Sequence, residues 1–158
     1  MILSDVFGGV FASKSARYGT TAAGGTANAG TVFELAPPVA AGGQWTETVL
    51  HEFGASGDGK YPLAGLVSGA SGELYGTTFL GGTGTNSKCF SGACGTVFTL
   101  APPAAAGGTT WTESVIWTFG YSYTYADGGN PAAGVLIGPG GDLFGTTVYG
   151  GALGEGSV

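Results

Sequence analysis

Short segments in which apolar and polar residues alternate follow one another along the chain, and glycine-rich turns separate them. The clearest is residues 45–53, Trp-Thr-Glu-Thr-Val-Leu-His-Glu-Phe. A period of two is typical of a β-strand with one buried face. It predicts one face with Trp45, Val49, His51 and Phe53, and an opposite face with Thr46, Thr48, Leu50 and Glu52.

Three further segments predict strands. Residues 31–35, Thr-Val-Phe-Glu-Leu, are rich in β-branched and aromatic side chains, and the following Pro-Pro at 37–38 ends the strand. Residues 66–67 and 73–75 flank a Ser/Gly turn suited to a hairpin. We find no convincing amphipathic helix, so the unit is predicted to contain four antiparallel strands.

These segments recur in a constant order. Tyr-Gly-Thr-Thr at 18–21 returns at 75–78 and, with Phe first, at 144–147; Gly-Thr-Val-Phe-x-Leu-Ala-Pro-Pro at 30–38 returns at 95–103. Trp-Thr-Glu at 45–47 returns at 111–113, and Asp-Gly at 58–59 returns at 127–128. The second period, from Tyr75 to Phe144, is longer than the first, and its extra residues fall between blocks, where we expect surface loops.

Four short strands per unit predict an all-β, propeller-like fold of tandem four-stranded antiparallel blades. We divide the chain into a degenerate first strand of a repeat at 1–17, a first unit at 18–74, a second at 75–143 and the start of an incomplete third at 144–158. Two full units and part of a third are fewer than the roughly four to eight blades of a closed propeller. The chain is then a fragment of a longer array, or neighbouring chains complete its sheets.

The composition narrows the possible partners. Of 158 residues, 34 are glycine and 9% are charged, with a formal net charge of −6. The four basic residues are scattered, so we expect no binding to nucleic acid or to an anionic membrane. No apolar run is long enough to span a membrane, and the first 15 residues make a poor secretory signal.

Two cysteines, Cys89 and Cys94, lie five positions apart in a Gly/Ser loop. This spacing fits a local disulfide in an oxidising compartment, with two inert thiols as the alternative. We predict no metal site, because the only histidine, His51, is distant in sequence, and we predict no cofactor. Trp117 occupies the position of His51 in the second unit, which favours a packing role for this position.

The carboxylates offer weak evidence for catalysis. Glu47 and Glu113 occupy equivalent positions, as do Glu73 and Asp142, and a group repeated in every unit is more often part of its internal hydrogen bonding. We therefore predict no catalytic residue.

The candidate binding residues are two aspartates and three tyrosines. Asp58 and Asp127 precede glycine and suit tight turns, although a ring of such side chains could bind a cation or a sugar weakly. The alternating Tyr121, Tyr123 and Tyr125 could stack on carbohydrate or pack against another chain.

The combination of Gly-Thr-Val-Phe, Trp-Thr-Glu, Asp-Gly-x-x-Pro-x-Ala-Gly-Leu and Leu-Tyr-Gly-Thr-Thr blocks resembles bacterial choice-of-anchor tandem repeat proteins of the GloVer type. The resemblance extends from Gly9 to Val158, with Glu73 and Asp142 in place of the usual Asn. It implies an exported, often surface-anchored bacterial protein with propeller-like repeats and no established enzymatic activity.

Two functions follow as expectations. The first is an extracellular structural or interaction protein that assembles through open sheet edges into a multi-chain propeller or a polymer. The second is a propeller module that binds carbohydrate or another ligand.

Overall fold

A computed structural model describes residues 11–13, 16–40, 43–105, 107–120 and 127–158. This part of the chain is all-β, as predicted, and its sheets are small and antiparallel. They do not close into a barrel or a ring within the described residues. One short 3₁₀ turn, Phe90–Gly92, interrupts the succession of strands.

Two four-stranded sheets account for most of the strands. The first, in the order β1-β2-β3-β4, contains Phe11–Ser13, Ala16–Thr21, Thr31–Ala36 and Thr46–Glu52. The second is formed from strands β6, β7, β9 and β10, which are Val67–Ser68, Leu74–Thr78, Thr96–Ala101 and Thr112–Thr118. Each sheet therefore joins its strands in chain order, as expected for the predicted four-strand unit.

Shorter strands form two further pairs. Strands β5 (Gly59–Lys60) and β8 (Leu80–Gly81) pair with each other. Strands β11 (Leu136–Ile137) and β12 (Leu143–Phe144) repeat the hairpin of β6 and β7. An isolated bridge between Thr147 and Ser157 follows β12 in the chain. We call the β11–β12 pair together with this bridge the third sheet. The same antiparallel hairpin thus occurs in the second and the third sheet.

The threonines of the Gly-Thr-Thr block form hydrogen bonds that recur from unit to unit. The second threonine forms a hydrogen bond with a hydroxyl on the segment that pairs with it, as Thr21–Thr31 at 2.9 Å, Thr78–Thr96 at 2.7 Å and Thr147–Ser157 at 2.9 Å. The first threonine reaches the segment that leads into the following sheet, where Thr20 donates to the carbonyl of Ala64 and Thr77 to that of Ala133, both at 2.9 Å. These two positions therefore tie the first two sheets internally and also to the segment that precedes the next sheet.

The main core lies between the first and second sheets. Phe98, fully buried, points from β9 towards Phe53, and the two rings meet edge to face with centroids 5.1 Å apart. A side chain at Gly76 would collide with the Phe98 ring, so glycine lets the aromatic ring lie directly over the neighbouring strand. The buried residues of this core are Ala29, Val32, Phe53, Leu66, Leu74, Phe98 and Leu100.

The strict alternation predicted for residues 45–53 is wrong. The register between β3 and β4 shifts because Leu50 is an extra residue opposite Val32 and Phe33, which makes a β-bulge. Val49 is consequently 47% exposed although Phe53 is only 1% exposed, and half-buried Leu50 packs against the core. The second sheet has the same irregularity at Ile116 in β10.

Replacing Phe98 with alanine should reduce the free energy of unfolding by about 3–5 kcal/mol, because it leaves a cavity between the two sheets. Urea denaturation followed by fluorescence measures the change. Phe144→Ala is the matched control, since Phe144 is 54% exposed, and it should cost much less. Equal losses in the two variants would contradict the assignment of the core.

Candidate functional site

Asp58 and Asp127 occupy the same structural position in successive units. The Oδ2 atom of Asp58 accepts a hydrogen bond from the Gly54 N–H, and that of Asp127 accepts one from the Gly120 N–H, each at 3.0 Å. Each carboxylate therefore accepts a hydrogen bond from the backbone just beyond the outermost strand of its sheet. The described geometry supports the turn role considered for these residues.

Asp58 also contacts the histidine of β4. The Nε2 atom of His51 lies 3.1 Å from Asp58 Oδ2, and the Asp58 side chain is almost completely buried. The Oδ1 atom of Asp58 accepts from the Gly59 N–H at 2.6 Å. The His51 ring also meets the Phe53 ring edge to face, at 4.7 Å between centroids. Hydrogen bonds and ring packing thus orient both the carboxylate and the imidazole.

A second carboxylate approaches this pair from the neighbouring sheet. Glu113, on β10, brings one carboxylate oxygen to His51 and Asp58, so that one potential ligand atom from each residue lies within 4.8 Å of the others. Burial raises the pKa of the Glu113 carboxyl, and Asp58 adds to the increase while His51 opposes it. The Oε1 atom of Glu113 is buried and has no hydrogen-bond partner among the described residues.

Sequence patterns did not predict this cluster. His51 and Glu113 belong to different units, and only the stacking of the first two sheets brings them together. One signal was available: both residues lie on the outermost strand of their unit, and the Asp58 loop directly follows the first of these strands. The packing role favoured for the position of His51 holds in part, because the ring does pack on Phe53.

The remaining predicted residues lie elsewhere. Glu73 accepts from the Ser71 N–H at 3.0 Å within the hairpin turn, and Glu47 and Asp142 are exposed. The three candidate tyrosines, Tyr121, Tyr123 and Tyr125, lie outside the described residues.

The cysteine loop is tied to the rest of the fold. Cys89 and Cys94 form a disulfide in the structure, and the fully buried Asn130 holds the same loop. Its side-chain amide donates to the carbonyl of Ala93 at 2.9 Å and accepts from the Phe90 N–H at 2.9 Å. The cysteine loop, which lengthens the second unit, is therefore held by Asn130 from a later segment of the same unit.

Recurrent sheets joined by equivalent hydrogen bonds define an all-β tandem-repeat protein. Residues 3–158 match the family model of the Gloeobacter/Verrucomicrobia repeat, and the chain belongs to that family. This result confirms the resemblance noted in the sequence. No curated protein and no solved structure matches the chain. Among the described residues, no helix is long and apolar enough to cross a membrane.

Replacing Asp58 with alanine in metal-free buffer should reduce the free energy of unfolding by about 2–4 kcal/mol, because it removes the acceptor of buried N–H groups. Asp142→Ala, which changes an exposed aspartate, should have little effect. Chemical denaturation of both variants provides the comparison. A stable Asp58→Ala protein would contradict the structural role of the turn.

Proposed function

We propose that this chain is a non-enzymatic structural or interaction protein of the extracellular space, whose sheets are propeller-like blades that stack on further units of the same repeat. A second copy of the chain supplies the next unit. The observation that carries this proposal is an apolar groove beside the third sheet.

The groove lies between the second sheet and the third. Its apolar lining includes Val97, Ile116, Trp117, Phe119, Val135 and Leu143. Ile116 and Trp117 are 45% and 52% exposed. Monomeric proteins seldom leave a contiguous apolar surface without a binding role, so this groove is a candidate interface.

The groove is lined by the same repeat positions that form the core between the first and second sheets. Its lining residues align with Val32, Leu50, His51, Phe53, Leu66 and Leu74 of the preceding unit. All of these except His51 belong to or pack on the core that receives Phe98 and Leu100 from the second sheet. The same surface therefore favours the same occupant, a strand of the form Thr-Val-Phe-x-Leu.

Bulges at the edges of the two four-stranded sheets favour association through sheet faces over association through sheet edges. Strands β4 and β10 lie at the edges of the two four-stranded sheets, and each carries a bulge. Bulges disfavour direct pairing of such edges with another chain. On the side of the third sheet the groove is lined by Leu143, Thr147 and Ser157, and Thr147 and Ser157 are joined by a bridge.

The surface chemistry is also compatible with close packing between copies. Only 9% of the residues are charged. Few charges would therefore have to lose water when two chains associate. The disulfide supports an oxidising location, because such bonds persist outside the reducing cytosol.

The purified chain should assemble as its concentration rises, because association covers the apolar groove. Light scattering coupled to size exclusion measures the mass. Ile116→Asp should shift the equilibrium towards the monomer, since it places a charge in the groove. Val39→Asp is the control: Val39 is fully exposed and does not line the groove, so assembly should persist.

Two outcomes would count against the proposal. A monomer at the highest accessible concentration would exclude self-assembly, and assembly unaffected by Ile116→Asp would exclude the groove. A fusion protein in which a second copy of residues 98–120 follows Val158 tests whether a Thr-Val-Phe-x-Leu strand occupies the groove. If this fusion stays monomeric while the original chain assembles, a strand of this type fills the groove; equal assembly of both would contradict that.

A further inference from the structure

We propose that His51, Asp58 and Glu113 form a binding site for a divalent transition-metal ion of the zinc class, which joins the first two sheets. His51 comes from β4 of the first sheet, Asp58 from the loop that follows, and Glu113 from β10 of the second sheet. The ligands thus come from both sides of one sheet interface.

The distances suit a small cation. Zinc bonds to nitrogen and oxygen of about 2.0–2.2 Å place neighbouring tetrahedral ligands roughly 3.3–3.5 Å apart. His51 Nε2 and Asp58 Oδ2 are already 3.1 Å apart, and the Glu113 oxygen is within 4.8 Å of both. Rotation about the flexible bonds of the Glu113 side chain can close the remaining gap.

A second observation points independently to a missing positive partner. The Oε1 atom of Glu113 is buried without a hydrogen-bond donor among the described residues. A buried carboxylate oxygen without a partner is costly. One oxygen of the same Glu113 carboxylate lies within 4.8 Å of Asp58, a second carboxylate. A cation held between the two carboxylates would offset both the lost hydration and their repulsion.

The donor set selects the class of metal. One imidazole and two carboxylates suit zinc, manganese, iron, cobalt or nickel, whereas calcium requires six to eight oxygen ligands. Thiolate ligation is excluded, because Cys89 and Cys94 are bonded to each other. Water would complete the coordination, as in zinc sites with three protein ligands.

The surrounding structure already orients two of the ligands. The Gly59 N–H holds Asp58 Oδ1, and the Gly54 N–H holds Oδ2, which also lies 3.1 Å from His51 Nε2. Phe53 packs against the imidazole ring. Such support from outside the ligand set is typical of metal sites and reduces the conformational entropy lost on binding.

The second unit provides an internal comparison. There Asp127 retains the loop contact of Asp58, but Trp117 replaces His51. Asp127 therefore forms this contact without a neighbouring histidine, so the contact itself does not require His51. Glu47, the first-unit equivalent of Glu113, is exposed and lies outside the cluster.

The test uses tag-free protein treated with chelator and then titrated with zinc chloride by calorimetry. We expect one zinc ion per chain and a higher melting temperature with zinc, because only the stacked sheets assemble the site. Cobalt substitution reports the coordination geometry through its visible absorption. Glu113→Gln and His51→Trp should each weaken zinc binding at least roughly tenfold.

Glu47→Gln is the matched control and should bind zinc like the original chain. Absence of saturable zinc and cobalt binding by the original chain would overturn the proposal, and the three groups would then form only a hydrogen-bonded cluster. Unchanged zinc affinity in Glu113→Gln would also overturn it. Because His51→Trp could disturb packing, Glu113→Gln is decisive if its metal-free melting temperature matches that of the original chain.

Discussion

The insertion of Phe98 between the first two sheets is the contact on which the rest of the structure depends. A lone four-stranded sheet exposes apolar side chains on two faces, and burial between sheets removes them from water. Phe98 reaches Phe53 across this interface, and Gly76 allows the ring to approach its neighbouring strand. The stacking then positions everything found at the margin of the interface, including the cluster of His51 and its two carboxylates.

Equivalent positions line the two interfaces between successive sheets, but the first interface is a packed core and the second is a groove. At the first interface, apolar residues surround Phe98, and a polar cluster lies beside them. At the second, equivalent apolar positions line a groove, and Trp117 stands where the histidine would be. Equivalent threonine bonds, Thr20 to Ala64 and Thr77 to Ala133, recur where successive sheets meet.

Local patterns predicted the strands well and the orientation of their side chains less well. The hairpin of β6 and β7 forms around the expected Ser/Gly turn. The outermost strand is different, because the bulge at Leu50 interrupts the alternation on which the prediction of its faces rested. A bulge depends on how a strand fits its partner and curves with the sheet, and a period of two contains no such information.

By itself, the sequence determined the repeated unit, its all-β character and the family, because turn glycines and alternating side chains act over a few residues. It also placed Asp58 and Asp127 in equivalent turns. Only the tertiary structure decided that Glu113 meets His51 and Asp58, and that one apolar surface is filled while its copy is a groove. These features arise between units, where contacts depend on the stacking of sheets and are independent of neighbours along the chain.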